Sequence, residues 1–129
     1  MGQVPIPENL KRFVLLAIPS VPYLEAIILL RSEPNKSWDS KEITQRLYLN
    51  DGSGQALLTE LKLGGIVVDD EHAPSLCRYQ PRTADLQQMI DLLADIYPKN
   101  LVEITNLIHS KLNRKAQQFA DAFLLRKDK

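Results

Sequence analysis

Cysteine occurs once in the 129 residues, at Cys77, so the chain can close no internal disulfide and cannot assemble a Cys-rich zinc site. Disulfide-free stabilisation suits a reducing compartment, and a cytoplasmic location is the expectation. Net charge is missing as well: 16 basic residues stand against 16 acidic ones, which leaves no general attraction to nucleic acid or to an anionic membrane. Long apolar runs are absent. Lys11 and Arg12 precede Phe13-Val-Leu-Leu-Ala-Ile18, which mimics a signal peptide, but the run is shorter than the roughly seven to fifteen residues such a segment needs and far below the ~20 of a membrane span. It reads as a buried helix face, and no membrane is expected as a partner.

Catalytic and cofactor signatures are equally scarce. Gly52 and Gly54 lack the Lys-Ser/Thr pair that completes a phosphate loop. His109 has no Ser or Cys at motif spacing and reads as a partly buried helix residue. Asp69, Asp70, Glu71 and His72 are consecutive, and neighbours on a hairpin point to alternate faces, so they do not converge on a metal. No enzyme, cofactor or metal is expected.

Hydrophobic residues make up 44% and charged residues 25%, an ordinary globular balance for one domain with an extension. Residues 1–6 read as an arm. Leu10, Phe13, Val14 and Ala17 recur at helical spacing after Pro7. Ser20 caps a second helix, apolar on most of its circumference and therefore central to the core. Asp39 and Glu42 have capping-box spacing and start a third helix that buries Ile43, Leu47 and Tyr48. Asn50 or Ser53 caps a fourth, which buries Leu57, Leu58 and Leu61 and stops at a left-handed Gly64-Gly65 cap. Ile66–Val68 and Leu76–Gln80 read as two strands of a hairpin closed by Pro81, with Cys77 a small core residue.

The remainder is helical. Leu86, Met89, Ile90, Leu93, Tyr97, Leu101, Ile104, Leu107 and Ile108 form a stripe that keeps its phase across Pro98. That favours one kinked helix, about 40 Å long over residues 84–111 at ~1.5 Å per residue, over two helices joined by a loop. A separate last helix is expected from about Lys115 to Arg126, with Ala116, Phe119, Ala120, Phe123 and Leu124 apolar.

Leu47, Leu49, Asn50, Leu57, Leu58, Leu61, Gly65, Ile66 and Val67 fall in an ungapped pattern that resembles the winged helix-turn-helix of bacterial regulators of the MarR type. Ile43 and Arg46 sit where that family has its first helix of the pair, and Trp38 where a short strand joins the wing. The resemblance covers residues 20–81 and implies a mainly α fold with a small β-hairpin wing, a winged helix-turn-helix plus long C-terminal helices. On this reading residues 1–82 form the winged-helix domain and residues 83–129 a helical extension that pairs two copies into a homodimer.

If the fourth helix enters a DNA groove, its free face would contact the duplex through Ser53, Gln55, Ala56, Thr59 and Lys62, with Arg78 and Arg82 on the wing. The chain departs from a typical DNA reader here. Lys62 stands against Asp51 and Glu60 between residues 50 and 63, and Asp69, Asp70 and Glu71 make the wing tip acidic. Gly54 takes a position where the family buries an aliphatic residue, so the helix either starts near Ser53 or packs loosely in its first turn. Positive charge collects at residues 111–129, where Lys111, Arg114, Lys115, Arg126, Lys127 and Lys129 outnumber Asp121 and Asp128. Two functions remain open: a dimeric transcriptional regulator that binds double-stranded DNA, and a winged-helix module that binds a protein partner without DNA.

Overall fold

The computed structural model describes residues 5–127, with side chains given at all of these except 115, 116, 119 and 123–127. Helix α1, Glu8–Ala17, starts just after Pro7 and buries Leu10 and Val14. The segment ahead of it is anchored rather than a free arm, because Ile6 joins the core; residues 1–4 of the expected arm lie outside the described residues. The chain bends by 112° into α2, Val21–Ser32. The Ser20 hydroxyl caps α2 by accepting from the Tyr23 amide at 3.3 Å. As the all-round apolar pattern of α2 demands, Tyr23, Leu24, Ala26, Ile27 and Leu30 are all buried.

Strand β1, Ser37–Trp38, leads into α3, Ser40–Arg46, and a tight turn into α4, Ser53–Leu63. Half of the expected capping box forms. Asp39 accepts from the Glu42 amide at 2.7 Å, while the Glu42 carboxylate turns outward to Lys36 at 2.8 Å. At the start of α4 the cap is neither Asn50 nor Ser53 but Gly52, whose φ of 86° no side chain would favour.

Two helices end in the same device. The amides of Tyr48 and Leu49 donate to the carbonyls of Gln45 and Thr44, and those of Gly65 and Ile66 donate to the carbonyls of Lys62 and Leu61. Each arrangement needs one left-handed residue, supplied by Tyr48 at φ 55° and by Gly65 at φ 77°. Gly64 keeps a right-handed conformation, so one glycine of the pair makes the cap. The expected burial of Tyr48 is wrong for this reason: a left-handed residue after a helix end points out of the turn, and Tyr48 is 95% exposed.

Strands β2, Val67–Asp69, and β3, Cys77–Tyr79, pair antiparallel, and β3 also pairs with β1, which gives a three-stranded sheet in the order β1-β3-β2. Cys77 and Tyr79 face the core, and Trp38 is fully buried beneath the cations of Lys36 and Arg46, 4.6 and 5.3 Å from its ring.

The long helix through Pro98 does not exist. Helix α5, Ala84–Ile96, is capped by Thr83 and passes into a 3-10 turn, Tyr97–Lys99, and then into α6, Leu101–Lys127. Asn100, at φ −139°, has left the helical region and is buried, with its amide nitrogen 3.4 Å from the Ile96 carbonyl. Hydrophobic phase could not show this, because Leu93, Ile96 and Tyr97 before the break and Ile104 and Ile108 after it are buried alike. Nor is there a separate last helix, since α6 runs unbroken through residues 111–115. Residues on both sides of position 82 share one buried cluster, in which Ile90, Leu93, Ile104 and Ile108 meet Leu10, Val14 and Leu24. No single helix among the described residues is long and apolar enough to cross a membrane.

Candidate functional site

Helix α4 is fixed from below by Leu57, Leu58 and Leu61, all buried, which leaves Gln55, Ala56, Thr59, Glu60 and Lys62 on the open side. Burial of three leucine side chains contributes roughly 5 to 9 kcal/mol before entropy is counted. Gly54 adds a second constraint. A Cβ built there would run into the Ser40 carbonyl oxygen and Thr44 Oγ1, so α3 and α4 touch through the glycine backbone. Of the two expected alternatives the structure takes the first: α4 starts at Ser53, and its first turn is tightly packed against α3 at Gly54.

The expected contact residues differ in exposure and in their partners. Ser53 is half-buried in the first turn, Gln55, Ala56 and Thr59 are exposed, and the Thr59 hydroxyl donates to the Gln55 carbonyl at 3.0 Å. Lys62 leans away from this face to the wing, where its Nζ lies 2.7 Å from Asp69 Oδ1. The hydrogen bond from Lys62 holds the Asp69 carboxyl below its usual range, and the same bond lifts the Lys62 ammonium above its own. Cys77 Sγ lies 3.7 Å from the same Asp69 oxygen, and burial pushes its thiol upward.

Lys62 and Arg82 line one groove with Val67, Val68 and Asp69, of about 430 Å³. Arg82 lies over the end of α4: a Cβ on Gly65 would come within 3.0 Å of its Nε, and its amide donates to the Gly65 carbonyl at 2.8 Å. A cation there faces the negative end of the α4 dipole. Arg78 is on the middle strand, opposite Ser37 and Val68, and half-buried. Neither arginine has a carboxylate partner among the described residues.

The acidic wing is organised rather than diffuse. Asp70 accepts a short hydrogen bond from the Ser37 hydroxyl and another, at 2.8 Å, from the His72 amide. Those two bonds, the Ser37 one foremost, lower its pKa. Asp70 thereby ties β1 to the hairpin. His109 is exposed on α6, not partly buried. In the basic C-terminal segment, Lys111 donates to the carbonyls of Leu15 and Ile18 at 2.9 and 2.8 Å and so caps α1, while Arg114 is exposed. The side chains of Lys115, Arg126 and Lys127, and residues 128–129, lie outside the described residues.

Sequence spacing did not show the Lys62–Asp69 pair or the exposed Leu16, Leu63 and Leu112. A signal for the first was present: the Gly65 cap reverses the chain, so the strand after it runs back beside the helix end and carries Asp69 toward Lys62. Compared with protein-family models, curated proteins and solved structures, the chain matches none.

Proposed function

We propose that residues 20–81 form a winged helix that binds duplex DNA and that the protein is a transcriptional regulator acting as a pair of copies. Support comes from the order α2, β1, α3, α4, β2, β3, from the sheet order β1-β3-β2, and above all from α4, clamped on one side and open on the other. In this reading the open side of α4 enters the major groove, Gln55 reads an adenine edge, and Arg78 and Arg82 on the wing meet phosphates. One copy offers few unpaired cations here, because Asp69 occupies Lys62. Two copies double the phosphate contacts and give the affinity that one lacks.

The test is fluorescence anisotropy with a labelled duplex at about 50 to 200 mM salt, where binding through phosphates falls steeply. Arg78→Ala and Arg82→Ala should each weaken binding and flatten its salt dependence. A folded protein that retains no duplex at the low-salt end ends this reading.

A protein-interaction module is the second reading. Two observations favour it: the neutralised Lys62 with the acidic wing tip, and the apolar side chains exposed where α1, α4 and α6 meet. A folded protein without DNA retention, joined to one defined partner by these faces, would fit it.

A further inference from the structure

Tyr48 holds a left-handed backbone, at φ 55°, while its aromatic side chain stands almost wholly in water. Glycine or asparagine fills such a position with less strain. Strain kept at an exposed position is a mark of binding sites, and exposed tyrosines are enriched where partners dock. The ring lines a groove of about 370 Å³ between the start of α2 and the turn that joins α3 to α4. Val21 and Pro22 come to the groove from α2, and Leu47 and Leu49 flank Tyr48 in the chain. Both sides are fixed in place. Leu24, Ala26 and Ile27 bury α2 in the core, and the amides of Tyr48 and Leu49 are held by the carbonyls of Gln45 and Thr44 at 3.3 and 2.9 Å. An aromatic anchor on a fixed backbone loses little freedom when a partner binds.

Two charged side chains, Glu25 and Arg46, also line the groove. Arg46 is engaged already, with Glu33 at 3.8 Å and with the Trp38 ring at 5.3 Å. Glu25 is exposed and has no cation within ion-pair distance among the described residues. The groove therefore presents an unanswered carboxylate and an open aromatic ring. A guanidinium suits both, because it bonds a carboxylate through two parallel N–H groups and stacks on an aromatic face.

We propose that this groove docks an extended segment of a protein partner through one arginine, held by the Glu25 carboxylate and the Tyr48 ring. Apolar neighbours of that arginine lie against Pro22, Leu47 and Leu49. Charge complementarity selects the partner: the groove's free charge is negative, so an acidic segment is repelled and a basic one is drawn in. None of Gln55, Ala56, Thr59, Arg78 and Arg82 lines this groove, so the inference holds or fails apart from the DNA reading. It also uses a different face from the exposed leucines of α1, α4 and α6.

A displayed library of random peptides, selected on the full chain and counter-selected on Glu25→Lys, tests it. Enriched peptides should carry an arginine flanked by apolar residues. With the leading peptide labelled, anisotropy should show Glu25→Gln and Tyr48→Gly each raising the dissociation constant by about fivefold or more, while Val102→Glu, an exposed position away from the groove, leaves it unchanged. Tyr48→Gly relieves backbone strain, so binding lost with it reports the ring and not unfolding, and circular dichroism confirms that every variant is folded. Glu25→Arg should lose the arginine peptide and bind a version with glutamate in its place. Selection without arginine enrichment, or binding indifferent to both Glu25→Gln and Tyr48→Gly, overturns the proposal. So does Tyr48-dependent binding of a single-stranded oligonucleotide in place of the peptide, which assigns the ring to base stacking, or a dimer in sedimentation velocity that Tyr48→Gly dissociates, which assigns the groove to a second copy. Duplex anisotropy on the same samples keeps the readings apart: a peptide binder that ignores duplex ends only the DNA proposal, and a duplex binder that ignores the peptide ends only this one.

Discussion

Lys62 on the open side of α4 and Asp69 on the wing form an ion pair, Nζ to Oδ1 2.7 Å. The one cation on the open side of α4 is thus already paired with an acid of the same chain. Asp69→Asn removes the competing carboxylate. If α4 and the wing bind duplex DNA, this change should strengthen binding several-fold and steepen the slope of log K against log salt by about one, the share of one added phosphate contact. Anisotropy titrations at several salt concentrations measure both, and an unchanged slope would count against Lys62 as a phosphate ligand.

Gly54→Ala should destabilise the protein by about 1 to 3 kcal/mol, although alanine is the better helix former. The added Cβ would push on the Ser40 carbonyl and Thr44 Oγ1, where α3 and α4 meet. The midpoint of urea unfolding reads the loss, and an unchanged or raised midpoint would show that the two helices can separate freely.

Tyr48→Gly should stabilise the fold by about 0.5 to 1 kcal/mol, because it relieves a left-handed non-glycine residue that makes no buried contact. Thermal unfolding checks this. A fall in stability would mean that the tyrosine ring contributes packing that outweighs its backbone strain.

Tyr79 predicts an alkaline limit. Burial pushes its pKa to about 12, with the Asp91 charge adding to the effect, and its buried hydroxyl finds no hydrogen-bond partner among the described residues. Because the folded pKa lies above the unfolded one, the associated stability is complete below about pH 10 and declines as pH rises toward 12. Tyr79→Phe should therefore be near neutral or slightly stabilising at pH 7 and should resist unfolding better than wild type above pH 10. Urea midpoints across that range test the sign.

Pro98→Ala should leave the break between α5 and α6 in place. The interruption is held by the buried, non-helical Asn100 and by Tyr97 and Ile104 in the core, not by the exposed proline ring. A change under about 1 kcal/mol with no gain in far-ultraviolet helix signal is expected. A clear rise in helicity would assign the break to Pro98.

Local chemistry decided which segments became helices and strands. Ser20 and Asp39 could be read as caps, Leu57, Leu58 and Leu61 as a buried face, and the residues around Cys77 as the returning strand, because each depends on side chains a few positions apart; the short strand at Trp38 follows from the resemblance alone. Three things needed the folded chain. The break at Asn100 was invisible because a buried stripe keeps its period whether one helix or two carry it. The reason for Gly54 was a close approach between α3 and α4, a contact that spacing along one helix does not contain. The state of Lys62 was set by Asp69, seven positions away and brought back by a left-handed glycine, so the charge offered by α4 is a property of the tertiary structure and not of its sequence face.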